Sequence, residues 1–236
     1  RQIATTTNIS QLKAADVTGD SRAEILYGDE QHGYVHAVDG VSSLELWRLK
    51  NPTSGAPGIE VADVDNDGEL EVIWGSGSNS TAPDFLSVHD IATLQSEFVS
   101  YDEGGPFRAL AMGNSDEDAE DEFVFAAYEG DRYNGSNYIS ATPLHVISSI
   151  DFSREWNAYE YPLGGNYYGY YDIAIGNIDG EAGNEIVAAY DWLYDLNLNI
   201  VDGVTRTLKS TTKKDLEPAL SIALADFGGS GINSIV

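Results

Sequence analysis

The chain has 236 residues, 42% of them hydrophobic, enough to bury a sizeable core in one large all-β domain or two small ones. Its 12 Lys and Arg face 39 Asp and Glu, a formal charge of −27 that excludes nucleic acid and anionic membrane surfaces as partners and favours small cations. There is no cysteine, which excludes disulfides and thiolate metal sites, and no apolar run approaches the roughly 18 residues of a membrane span. The sequence starts at Arg1 without a signal peptide or methionine, so both ends are expected to be cut or processed.

An acidic loop recurs five times, each copy set between short apolar strands. In the first, Asp16, Thr18, Asp20 and Glu24 stand at loop positions 1, 3, 5 and 9. Tyr34–Val38 and Leu44–Trp47 follow as a second pair of strands around the tight-turn dipeptide Asp39-Gly40. The second copy is the most complete. It places Asp63, Asp65, Asp67 and Glu71 in the same frame, with Gly68 at position 6 and Glu69 at position 7. Ile59–Val61 and Val72–Trp74 flank it, and Phe85–His89 with Ser96–Val99 make its second pair.

The third copy gives Asn114, Asp116, Asp118 and Glu122, with Glu117 and Ala119 where glycine occurs in other copies. An insertion over Tyr128–Pro143 precedes its second pair, Leu144–Ile147 and Arg154–Trp156. The fourth gives Asn177, Asp179, Glu181 and Glu185, then Leu198–Val201, the turn Asp202-Gly203 and Thr205–Leu208. The fifth keeps only Asp226. First positions at 16, 63, 114, 177 and 226 are spaced by 47, 51, 63 and 49 residues. Four strands in about 50 residues is the period of a propeller blade. The expected fold is therefore all-β, a β-propeller of four-stranded blades with four to five blades over 1–236 and almost no helix. Those residues form a single propeller domain or a fragment of one.

Calcium takes six to eight oxygen ligands, and acids at positions 1, 3, 5 and 9 of one turn wrap several oxygens around a point. The carbonyl of Glu69 would add one more, and Gly68 permits the positive-φ turn that curls the chain round the ion. An EF-hand would need an acid at position 12, where Trp74 stands, and would be flanked by helices. Asp, Asn and Gly also populate ordinary turns, but clustered like charges repel without a counter-ion, and Arg22 is the only basic residue inside any of the loops.

The phrase Val61-Ala-Asp-Val-Asp-Asn-Asp-Gly-Glu-Leu-Glu-Val-Ile73 resembles the FG-GAP/VCBS-type repeat of integrin α-subunit propellers and many bacterial secreted proteins. The resemblance implies calcium loops joining the first two strands of each blade, on the face away from the ligand surface. It also implies an extracellular, cell-surface or periplasmic setting. Glu at position 9, where integrins have Asp, points to the bacterial branch. The resemblance leaves two sizes open, a segment of a larger seven- or eight-bladed ring and a closed five-bladed one.

Gly164–Tyr171 holds four tyrosines just before the inner strand of the fourth blade. Tyr167, Tyr168 and Tyr170, with Arg108 and Arg132, are candidates for a surface that binds a protein or carbohydrate ligand opposite the calcium loops. Packing around a wide channel accounts for the tyrosines equally well. His36, His89 and His145 fall in equivalent third strands, a pattern of repeat architecture rather than catalysis. Every repeated motif is structural and no nucleophile–base pair is evident, so the expectation is a non-enzymatic calcium-binding module for adhesion, assembly or ligand display. The alternative is a propeller fragment of a calcium-dependent polysaccharide lyase, resembling the rhamnogalacturonan lyases.

Overall fold

The computed structural model describes residues 8–29, 33–53, 55–77, 83–128, 131–133, 138–140, 142–158, 170–192, 195–213 and 221–236. The chain divides into two compact units, Arg1–Phe107 and Arg108–Val236. The first contains two four-stranded antiparallel sheets, each with its strands in chain order. One is β1 (Ile9–Ala15), β2 (Glu24–Asp29), β3 (Tyr34–Val38) and β4 (Glu45–Lys50); the other is β5 (Gly58–Ala62), β6 (Glu71–Gly75), β7 (Leu86–Asp90) and β8 (Ser96–Val99).

In the second unit, β9 (Phe107–Gly113), whose first residue marks the boundary, pairs with β10 (Glu122–Ala127). A two-stranded hairpin, β11 (Asp131–Tyr133) and β12 (Tyr138–Ser140), is inserted before β13 (Leu144–Ser148) and β14 (Arg154–Asn157) complete that sheet. The next sheet is β15 (Tyr170–Gly176), β16 (Glu185–Trp192), β17 (Asp195–Asp202) and β18 (Leu208–Lys213). The last pair is β19 (Leu224–Ala225) and β20 (Ser234–Ile235). Among the described residues there is no helix, and so none long and apolar enough to cross a membrane.

The second and third strands of a sheet are covered on both faces, so they are apolar along their whole length rather than alternating. Every residue of β6, β10 and β13 is buried, whereas no residue of β8 or β14 is. Leu26, Val35, Ala37, Ile59, Val72 and Trp74 form the core of the first unit, and Val124, Leu144, Val146, Ile173, Ile186 and Val201 that of the second. The third-strand histidines stack on aromatic rings of the second strand: His36 on Tyr27 at 4.6 Å, His89 on Trp74 at 4.8 Å and His145 on Phe125 at 4.9 Å. Burial, followed by the Arg154 charge, pushes His145 down to about 3, so this ring stays neutral and packs. Trp47 and Trp156 pack on their cores as partly buried residues.

Two expectations about turns are corrected. Asp39-Gly40 and Asp202-Gly203 do not make two-residue turns. Asp39 N–H donates to Leu44 O and Ser43 N–H to Asp39 O, closing a four-residue loop whose last residue, Ser43, has φ +62°. Leu94, Phe152 and Arg206 hold the same left-handed place at +60°, +57° and +56°. An Asp or Ser caps each loop: Thr93 and Thr205 N–H donate to Asp90 and Asp202, and Ile150 N–H to Ser148. The fourth strand expected over Thr205–Leu208 begins only at Leu208, because Thr205 and Arg206 are consumed by this loop.

One buried acid outside the loops carries a pH signature. Asp84 is lodged against Gly77 and Gly105, where a Cβ would meet its carboxyl at 2.4 and 1.6 Å, and among the described residues only Thr53 Oγ1 donates to that carboxyl, at 3.0 Å. Burial, with the Asp102 charge adding, raises it from 3.8 to about 6. The folded chain thus keeps this proton after the unfolded chain has lost it. The resulting stability is complete below 3.8 and is lost as pH rises through about 6. Asp84→Asn cannot ionise, so its melting temperature relative to wild type should climb between about pH 4 and about pH 7. A constant difference across that range would contradict this.

Candidate metal centre

The loops at 16, 63, 114, 177 and 226 each join the first and second strands of a sheet. One device braces the first four. The position-9 glutamates Glu24, Glu71, Glu122 and Glu185 are buried at 1%, 1%, 0% and 2% exposure at the start of the second strand. Each turns one oxygen back to accept the N–H of loop position 2: Val17 at 3.0 Å, Val64 at 2.7 Å, Ser115 at 2.6 Å and Ile178 at 2.9 Å. The glutamate therefore fixes the loop's curvature as well as facing its centre, and only its second oxygen is left for an ion.

In the first loop Asp16 accepts from Thr18, Gly19 and Ser21 N–H, Asp20 from Arg22 N–H, and Thr18 Oγ1 donates to Glu24 at 3.2 Å. In the second, Asp63 accepts from Asp67 and Gly68 N–H, Asp65 from Asp67 N–H, and Asp67 from Glu69 N–H. Asn66 at φ +60° and Gly68 at φ +94° make the curl. Carboxylate oxygens of Asp63, Asp65 and Glu71 lie within 4.8 Å of one another, and Glu71 forms a second such group with Asp90 and Glu97. Burial, then the charges of Glu97, Asp65 and Asp63, raises Glu71 from 4.5 to about 7 against the Val64 hydrogen bond that favours its ionised form. Glu97 is raised as well, by burial and by Asp65, Asp90 and Asp67. Among the described residues no Lys or Arg pairs with these six acids.

The third and fourth loops differ. Asn114 and Asn177 point their amide nitrogens inward, donating to Asp118 O and Glu181 O at 2.6 Å each. Asp116, Glu122 and Glu155 bring oxygens within 4.8 Å, but Arg206 enters that group, donating to Ser115 Oγ at 2.7 Å, Asp116 at 3.2 Å and Glu155 at 3.0 Å. In the fourth loop Lys209 Nζ lies 2.5 Å from Asp179, 3.1 Å from Glu181, 3.1 Å from Glu185 and 3.4 Å from Asp202. Asp179 first, with Glu185 and Glu181, holds this ammonium's pKa well above the ordinary lysine value. Asp226 accepts from Gly228 and Gly231 N–H.

The sequence did not reveal Glu97, Glu155, Lys209 or Arg206 as loop partners. The signal available was positional: Glu97, Glu155 and Lys209 each follow the first residue of a fourth strand.

Of the ligand-surface candidates, Tyr170 is corrected. It is 4% exposed, its ring meets Tyr190 edge-on at 5.9 Å, and its hydroxyl accepts from Asn199 Nδ2 at 2.9 Å, so this tyrosine packs the core. Arg108 is exposed near the start of β9, at the end of that strand away from its loop. Arg132 lies in β11, but its side chain is outside the described residues, as are Tyr167 and Tyr168.

No family model matches the chain, and no curated protein does. Solved structures do. The Dos1 propeller is similar at 11% identity with a TM-score of 0.56, over 92% of this chain and 50% of that one. Saccharomyces cerevisiae Sqt1 is similar at 10% identity with a TM-score of 0.63, over 97% of this chain and 56% of that one. This chain thus spans about half the length of either. The fold is all-β and of the β-propeller class, its four-stranded sheets being blades.

Proposed function

We propose that the chain is a calcium-stabilised, non-catalytic propeller module of the FG-GAP/VCBS type, working outside the cell where calcium is abundant. One observation carries this reading. The second blade gathers Asp63, Asp65, Asp67, Glu71, Asp90 and Glu97 with no cationic side chain among the described residues to offset them. Such a group needs a cation from solution, and an all-oxygen, all-carboxylate set of side chains suits calcium better than a metal that prefers nitrogen or sulfur. The carbonyl of Glu69 remains a candidate ligand. The module would serve adhesion, assembly or display of a protein or carbohydrate ligand at the strand ends opposite the loops, where Arg108 is exposed.

Calorimetric titration of calcium tests it. Wild type should give a saturable heat that Asp63→Asn/Asp65→Asn loses, because those two carboxylates face the same point from one turn. An unchanged isotherm in the variant removes the assignment.

A further inference from the structure

The four complete blades share an irregularity that links each loop to its outermost strand. Where the third strand pairs with the fourth, the register slips by one residue at the same place every time. Ala37 faces Trp47 and Val38 faces Glu45; Val88 faces Phe98 and His89 faces Ser96; Val146 faces Trp156 and Ile147 faces Arg154; Ile200 faces Ser210 and Val201 faces Leu208. The extra, bulged residue is Leu46, Glu97, Glu155 or Lys209. Bulges re-aim a side chain, and three of these four reach the acidic loop of their own blade. Glu97 joins Glu71 and Asp90, Glu155 joins Asp116 and Glu122, and Lys209 meets Asp179, Glu181, Glu185 and Asp202. Leu46 carries no charge and is 42% exposed.

We propose that in the second and fourth blades this bulged residue selects the cation of the loop, and that in the fourth the cation is the Lys209 ammonium itself. The inference rests on the calcium reading only for the second blade. An ammonium has three N–H donors and one positive charge, and here it stands among four carboxylates at 2.5–3.4 Å, where an ion would otherwise be needed. A tethered cation is present at every calcium concentration and no chelator removes it. Glu97, at the equivalent place, does the opposite, adding negative charge to a loop that already lacks a counter-ion. Asp at loop position 1 in the second blade and Asn177 in the fourth follow the same division. Asn177 brings an inward-facing amide N–H₂ instead of a charge. In the third blade the bulged Glu155 adds a carboxylate, as Glu97 does, and the cation comes instead from Arg206 of the turn between β17 and β18, whose guanidinium bridges Asp116 and Glu155. Calcium would then act on the second blade, while the third and fourth keep their loops closed with the chain's own cations.

Reciprocal exchange in the whole chain tests this, read by calcium titration and by melting in chelator. Lys209→Glu should melt below wild type in chelator, recover in calcium, and bind one calcium more than wild type. Glu97→Lys should bind one calcium fewer and melt at the same temperature in calcium and in chelator. Lys209→Met, a milder change, should melt on the order of 4 °C lower in chelator, and calcium should restore little of it because a fourth-blade ligand is still missing. A Lys209→Met protein that melts in chelator like wild type, or a folded Lys209→Glu protein with no added calcium, overturns the proposal. Failure of the calcium reading looks different: wild type binds no calcium, yet Lys209→Met still loses stability in chelator.

Discussion

Calcium at a hundredfold excess over Kd should stabilise the chain by about 2.7 kcal/mol for one occupied site, the gain expected when only the folded form binds. For a domain of this size that is a rise of roughly 5–11 °C in Tm. The second blade is the source, since its carboxylates are held together by the fold and lie apart in the unfolded chain. Without the ion the fold must hold a buried Glu71 against Glu97, Asp65 and Asp63, and burial first, with those charges adding, pushes its carboxyl up to about 7. Scanning calorimetry in calcium and in chelator measures the shift, and the Asp63→Asn/Asp65→Asn variant should show little of it. Coincident melts for wild type would contradict the prediction.

Gly203→Ala should destabilise the second unit on the order of 3 kcal/mol. A Cβ at Gly203 would lie 1.6 Å from Ser115 O and 2.4 Å from Asn184 O, two backbone atoms that no side-chain rotation can move away. The Gly203 N–H donates to Asn184 O at 3.0 Å, so the turn between β17 and β18 is moored to the end of the fourth loop. Relief of the clash requires that turn to withdraw. It carries Arg206, whose contacts to Ser115, Asp116 and Glu155 would loosen together. Urea unfolding of the variant checks the magnitude. A loss below about 1 kcal/mol would mean that the turn tolerates a methyl group and is not held against the loops.

The blade period, the five loops and most strand positions were legible because each is local. Tyr34–Val38 and Ser96–Val99 were read with the boundaries the structure gives, both being short apolar or β-forming runs closed by turn residues. The acids of Asp63–Glu71 were legible because their spacing is a property of nine consecutive residues. Glu97 was not, because it reaches Glu71 only through a one-residue slip between β7 and β8, and a slip has no composition. The left-handed residues Ser43, Leu94, Phe152 and Arg206 were hidden for a similar reason: none is glycine, and their conformation is imposed by the Asp- or Ser-capped loop around them. β18 was misplaced by this route, since Thr205 and Thr207 look like strand residues until Asp202 captures Thr205. The sequence leaves Tyr170 open between a ligand surface and packing because it stands beside three other tyrosines, and its hydroxyl, satisfied from within by Asn199, decides for packing.

Anomalous scattering from crystals grown in calcium, at a wavelength where calcium is the strongest scatterer, tests the central claim most directly. A peak bounded by carboxylate oxygens of Asp63, Asp65 and Glu71 is expected, with none among Asp179, Glu181 and Glu185, where Lys209 Nζ stands. A peak in the fourth loop with Lys209 displaced, or a second loop without one, would contradict it.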